Sequence, residues 1–214
     1  MKLKLLLSCI LYLACIFGVQ AQKDPQARQL LDRSATIFTK NSVQITFSIQ
    51  PQDNGFETAP VQGIISIKGN KFLLETPSTI TWFDGKTQWS YLPANQEVNI
   101  SNPTPEELQS INPYAFIGLY KQGYQYSIGT LKTYKGKAIT EINLHAESAK
   151  SEIQQATLYV DRTNGQPFFI KITDCNKNTN AIEVISLKKG LNLPDNLFTF
   201  DKKKYPQAEI IDLR

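Results

Sequence analysis

From Val43 onward, apolar and polar residues alternate in short runs separated by turn residues. Val43, Ile45, Phe47 and Ile49 alternate with Gln44, Thr46, Ser48 and Gln50, the period of a strand with one dry face and one wet face. Residues 61–68 repeat the pattern, with Val61, Gly63, Ile65 and Ile67 on one side. Gly69-Asn70 turns the chain into residues 71–76, and residues 79–83 meet Asp84-Gly85 and return as 87–93, a hairpin signal. Residues 97–101 complete the first half. In the second half, strands 124–134 and 137–146 flank Lys135-Gly136, strands 154–161 and 166–174 flank Asn164-Gly165, and 181–189 follow. Phe198-Thr199-Phe200 adds a last short strand. Turns this short force antiparallel neighbours. Roughly 10–11 twisted strands in one meander curl into a half or closed barrel. The pattern predicts a single, mainly β (α+β) domain over residues 22–214.

Two segments carry helical spacing instead. Asp24 caps the first, Pro25 suits its first turn, and Ala27, Leu30, Leu31, Ala35 and Phe38 share one face. The second, residues 104–121, interrupts the strands. Thr104-Pro105-Glu106-Glu107 starts a helix with acids at the positive end of its dipole, and Asn112-Pro113 breaks it. After the break, Tyr114, Ala115, Phe116, Ile117, Leu119 and Tyr120 are apolar nearly all round, so this piece must cover an apolar surface. On physics alone a fixed plug and a movable lid fit equally well.

The N-terminus sets the compartment. Lys2 and Lys4, the apolar run Leu5 to Val19 and the small-residue site Val19-Gln20-Ala21 form a cleavable signal peptide over residues 1–21, which directs the chain to the periplasm. Tyr12-Leu13-Ala14-Cys15 offers a competing lipid-anchored form, against which the apolar run continues past Cys15. Cleavage after Ala21 leaves Cys175 as the one cysteine, so no internal disulfide forms and the core must carry stability. Removing Lys2 and Lys4 takes the formal net charge from +4 to +2. The lysines are scattered, many beside turn glycines, and nothing resembles a nucleic-acid motif.

Catalytic constellations are missing. Gly85-Lys86-Thr87 has the tail of a phosphate-binding loop, but Ile80 stands where the first glycine belongs. After cleavage, one histidine, His145, and one cysteine, Cys175, fall short of a zinc set, and no Gly-x-Ser-x-Gly elbow occurs. Glu106 and Glu107 are helix neighbours and point apart. Trp82 and Trp89 bracket a hairpin, where they suit a core better than a sugar platform. The chain is therefore read as a non-enzyme without cofactor or metal.

Several motifs in order resemble the periplasmic outer-membrane lipoprotein carrier (LolA-type) family in its Bacteroidetes-like form. They are Phe47-x-x-Gln50, Lys71-Phe72-Leu73-Leu74-Glu75-Thr76-Pro77, Asp84-Gly85-Lys86-Thr87-x-Trp89-x-Tyr91, Asn112-Pro113-Tyr114-Ala115-Phe116, Phe198-Thr199-Phe200 and Asp212-Leu213-Arg214. The resemblance implies a half-open antiparallel β-barrel whose helices lid an apolar cavity for the acyl chains of a lipoprotein. It implies acylated lipoproteins as cargo, an inner-membrane ABC transporter as donor, an acceptor at the outer membrane that it does not name, and a monomeric carrier. The expected cavity residues are Ile45, Phe47, Ile65, Ile67, Phe72, Leu74, Trp89 and Tyr91 from strands, and Phe116, Ile117 and Leu119 from the lid.

One departure stands out. Better-known members of the family it resembles carry an arginine before the position of the Phe72 strand that hydrogen-bonds the closed lid; residues 67–71 here read Ile-Lys-Gly-Asn-Lys, with Lys68 and Lys71 as candidate substitutes. A carrier or anchored receptor for another envelope lipid or glycolipid is therefore the main alternative, and an envelope hydrolase or sugar-binding domain the lesser one.

Overall fold

A computed structural model describes residues 23–53, 56–57, 59–104, 107–108, 115–121 and 123–214. Residues 1–22, which include the expected signal peptide, and, within the 104–121 insertion, residues 105–106 and 109–114 lie outside the described residues. Helix α1 (Pro25–Lys40) begins where Asp24 accepts hydrogen bonds from the Gln26 and Ala27 amides, at 2.7 and 3.2 Å. Its buried stripe is Ala27, Leu30, Leu31, Ser34, Ile37 and Phe38, so Ser34 replaces the expected Ala35 on the most buried line. The Ser34 hydroxyl is satisfied there, within hydrogen-bond reach of the Leu30 and Gly165 carbonyls.

The strands are β1 (Val43–Asp53), β2 (Phe56–Glu57), β3 (Val61–Lys68), β4 (Lys71–Glu75), β5 (Ile80–Phe83), β6 (Gln88–Leu92) and β7 (Glu97–Ser101) in the first half. The second half holds β8 (Tyr124–Ile128), β9 (Thr133–Tyr134), β10 (Lys137–Ala146), β11 (Ile153–Asp161), β12 (Pro167–Asp174), β13 (Thr179–Lys189) and β14 (Glu209–Asp212). They build one sheet in the order β14-β7-β6-β5-β4-β3-β1-β13-β12-β11-β10-β8, with β2 and β9 as short side pairs. β1 pairs with β13 and thereby joins the two meanders. β14 and β8 remain unjoined edges, so the sheet is curved but open.

Three expectations change. The run 124–134 is not one strand: β8 ends at Ile128, and Gly129 donates to the Glu141 carbonyl before β9 starts. Phe198-Thr199-Phe200 is not a strand either, because Asp195–Phe198 forms a 3-10 helix. The closing strand is β14, and it runs parallel to β7, so the sheet is not wholly antiparallel. A long return from β13 permits this orientation, which a tight hairpin forbids.

The face of the sheet that receives α1 is called inner. There Val43, Ile45, Phe47, Ile65, Ile67 and Phe72 pack with the α1 stripe and with inner residues of β10 to β13 in one apolar core. Close approach sets two glycines. A Cβ on Gly63 would stand 2.5 Å from the Phe47 ring, so glycine leaves that ring its space across β3. Gly165 has φ of +74°, and a Cβ there would stand 2.8 Å from Arg33 Cβ on α1. A register shift between Thr46 and Phe47 against β13 leaves Ile185 unpaired in the ladder and 53% exposed.

Candidate functional site

Cross-strand register extends the inner face beyond the core in two rows. Val43, Ile67, Phe72, Phe83, Gln88 and Ser101 follow one another across β1, β3, β4, β5, β6 and β7. The neighbouring row is Ile45, Ile65, Leu74, Thr81, Ser90 and Asn99. Both rows start apolar and turn polar at β5 and β6. The inner wall is thus a dry surface with a polar end.

Six of the expected cavity residues lie on this inner wall. Ile45, Phe47, Ile65, Ile67 and Phe72 are buried in the main core, and Leu74 packs against it half-buried. Leu119, on the 3-10 helix Ala115–Lys121, joins the same core. The Phe116 and Ile117 side chains lie outside the described residues.

Trp89 and Tyr91 do not belong there. Trp89 pairs with Trp82 and Ile100, and Tyr91 with Ile80 and Val98, on the opposite, outer face. The reason is the C-terminal return. Leu193, Leu197, Phe198, Phe200, Tyr205 and Ala208 cross that face and bury its aromatics. Phe198 is fully buried, and Trp82 meets Phe200 and Tyr205 edge-on at 5.6 Å each. Alternation marks a dry face but not its partner, and here the apolar side of β5 to β7 is turned outward. Trp82, at 7% exposure, is a core residue and not a sugar platform.

Lys68 and Lys71 serve the same outer assembly. Lys68 Nζ donates to the Leu193 carbonyl at 2.8 Å and to Asp195 at 2.9 Å, and Lys71 Nζ stands 3.4 Å from Asp195. The two lysines hold the Asp195 carboxyl below its usual range. They clamp the C-terminal return, so neither replaces the family's lid arginine.

A different group fastens the lid. Tyr120, 2% exposed, donates its hydroxyl to Asp32 of α1 at 2.6 Å. Arg28, one turn earlier, donates Nε to the same carboxylate at 3.1 Å and lies over the Tyr120 ring at 5.0 Å. It also reaches the Tyr126 hydroxyl at 3.5 Å. The Tyr120 hydrogen bond, followed by Arg28, holds the Asp32 carboxyl below its ordinary value against the cost of partial burial. Burial first, then Asp32, pushes the Tyr120 hydroxyl up. Helical spacing alone gives Asp32 no such role, because Tyr120 lies 88 residues further along the chain. At the other end of the insertion, Thr104 and Glu107 form a reciprocal capping box: Thr104 N–H donates to Glu107 Oε2, and Glu107 N–H to Thr104 Oγ1.

Tyr120→Phe is expected to lower stability by about 1 kcal/mol, since Asp32 keeps solvent access when its partner goes. A folded-state carboxyl below its unfolded value stabilises above the unfolded pKa of about 3.9 and loses that contribution as pH falls through the folded pKa. Thermal unfolding of wild type and variant at pH 7 should therefore differ, and the difference should vanish in strong acid. An equal gap at both pH values would refute the assignment.

The polar end of the wall has its own chemistry. Gln88 Nε2 donates to Ser90 Oγ at 3.1 Å, and Ser90 Oγ lies 3.4 Å from Thr81 Oγ1. Gln88 Oε1 is shut from solvent and has no hydrogen-bond partner among the described residues. Such an orphan costs about 1–3 kcal/mol. Nothing in the alternation singled it out, because the residue was placed by its apolar neighbour Trp89.

Among the described residues, no three His, Cys, Asp or Glu side chains form a metal-binding group, and no helix is long and apolar enough to cross a membrane. Cys175 and His145 are exposed.

A family model described as "Outer membrane lipoprotein carrier protein LolA" matches residues 17–176. No curated protein matches the sequence. Among solved structures, an uncharacterized conserved protein from Thermus thermophilus is similar at TM-score 0.57 and 14% identity, covering 87% of this chain and 98% of that one. A LolA superfamily protein from Nitrosomonas europaea is similar at TM-score 0.45 and 15% identity, covering 81% and 97%. LprF from Mycobacterium bovis is similar at TM-score 0.49 and 12% identity, covering 80% and 96%.

Proposed function

Since this chain belongs to the LolA family of outer-membrane lipoprotein carriers, we propose that it is a periplasmic carrier, not a catalyst, that shelters lipoprotein acyl chains between the inner sheet face and the lid. It takes them from an inner-membrane transporter and gives them up at the outer membrane. The observation that carries this reading is the apolar inner wall of Ile45, Phe47, Ile65, Ile67 and Phe72, covered by α1 and a 3-10 helix rather than by a second sheet. Each methylene moved from water to such a surface gains about 0.8 kcal/mol, so even a modest cavity holds an acyl chain. A lid that packs its own Leu119 into the same core competes with cargo and favours release.

A second reading, transport of a different envelope lipid, is favoured by the outward placement of Lys68 and Lys71, which leaves the inner face without the family arginine. Native mass spectrometry with lipid extraction, on protein purified from the periplasm of its host, separates the two. Bound triacylated lipoprotein is the expected result, and a bound free lipid selects the second reading. Empty protein that also ignores fluorescent acyl probes would sink both.

A further inference from the structure

We propose that Gln88, with Ser90 and Thr81, forms a recognition point for the head end of a cargo acyl chain, and that it accepts a hydrogen bond from a donor carried there. This inference rests on the carrier reading above. The apolar rows of the inner wall run directly into these three residues, through the pairs Phe83 with Gln88, Leu74 with Thr81, and Thr81 with Ser90. A chain lying along Phe72 and Phe83, whose rings are 5.4 Å apart, ends at Gln88. The Gln88 amide nitrogen is engaged by Ser90, whereas its oxygen is buried and, among the described residues, unpartnered.

An amide oxygen is an acceptor only, so its missing partner is an N–H or O–H group. A plain ester cannot supply one. The amide N–H of an N-acyl group can, and so can the hydroxyl of a hydroxyacyl chain. Ser90 stands beside the Gln88 side chain and shares a hydrogen bond with Thr81, which leaves one hydroxyl of the pair free to donate to a cargo carbonyl. The wall thus distinguishes donor-bearing acyl groups from simple esters, beyond measuring chain length.

The test is displacement of a fluorescent acyl probe by four ligands of equal chain length: N-methyldodecanamide, N,N-dimethyldodecanamide, methyl dodecanoate and methyl 3-hydroxydodecanoate. Wild type should bind N-methyldodecanamide about fivefold more tightly than the dimethylamide and the plain ester, which lack the donor. A matching gain for the hydroxy ester assigns a hydroxyl source, and its absence assigns the amide. Gln88→Leu should erase the preference for N-methyldodecanamide over its dimethyl analogue. Equal affinity of all four ligands for wild type overturns the inference and leaves the carrier reading intact. Failure of the probe itself to bind removes the carrier reading as well. The wild-type comparison stands alone if Gln88→Leu does not fold.

Discussion

Phe198→Ala should destabilise the protein by about 3–5 kcal/mol, a fall in melting temperature of roughly 6–20 °C for a domain of this size. Phe198 is fully buried on the outer face, against Leu73, Trp82 and the aromatics of the C-terminal return. Truncation leaves a cavity among rings that cannot collapse, since Trp82, Phe200 and Tyr205 are fixed edge to face or stacked. Acyl binding per folded molecule should not change, because the inner wall lies across the sheet. Calorimetry beside probe titration checks both halves. Loss of acyl affinity at full folding would show that the outer cluster shapes the cavity and would refute this division of labour.

Phe47→Ala is the second large effect, also about 3–5 kcal/mol. Its ring is fully buried and lies over the Cα of Gly63. Gly63→Ala alone should destabilise, because its new Cβ would meet that ring and the Glu75 carbonyl oxygen at 2.9 Å. With Phe47→Leu in the background, the same change should cost less, a coupling that a double-mutant cycle measures. In Phe47→Ala the void adjoins the surface assigned to acyl chains. A saturating acyl amphiphile should therefore raise the melting temperature of the variant more than that of wild type, as ligand atoms replace the lost ring. An equal shift in both proteins would place the chain away from Phe47.

The strands of the first half were largely legible. β1 alternates cleanly, and the apolar residues Ile45 and Phe47, Ile65 and Ile67, and Phe72 do meet α1, although the run Phe72-Leu73-Leu74 did not by itself say which of its residues faces that way. The helix α1 was legible from Asp24 and its spacing, but its working polar face was not. Arg28 and Asp32 gain meaning only from Tyr120, brought beside them by the whole intervening sheet. The return after β13 was misread for a related reason. Phe198 and Phe200 have strand-like residues, yet Asp195–Phe198 winds into a 3-10 helix, and the true edge strand is Glu209–Asp212 beside β7.

Local pattern alone shows that this chain makes a wide β meander and, for most strands, which residues share a dry side. Those facts follow from the fixed period of a strand and from turn chemistry, both local. Which dry side faces the lid was settled by long-range packing. At β1 to β4 it is the inner side; at β5 to β7 the same alternation turns Trp82, Trp89 and Tyr91 outward beneath the C-terminal return. A side chain's face is set by its neighbours in sequence, but what covers that face is set by segments about a hundred residues away, such as Phe200 and Tyr205 over Trp82. The polar end at Gln88 is the consequence: with the dry side spent outward, the inner wall there had only polar residues left to present.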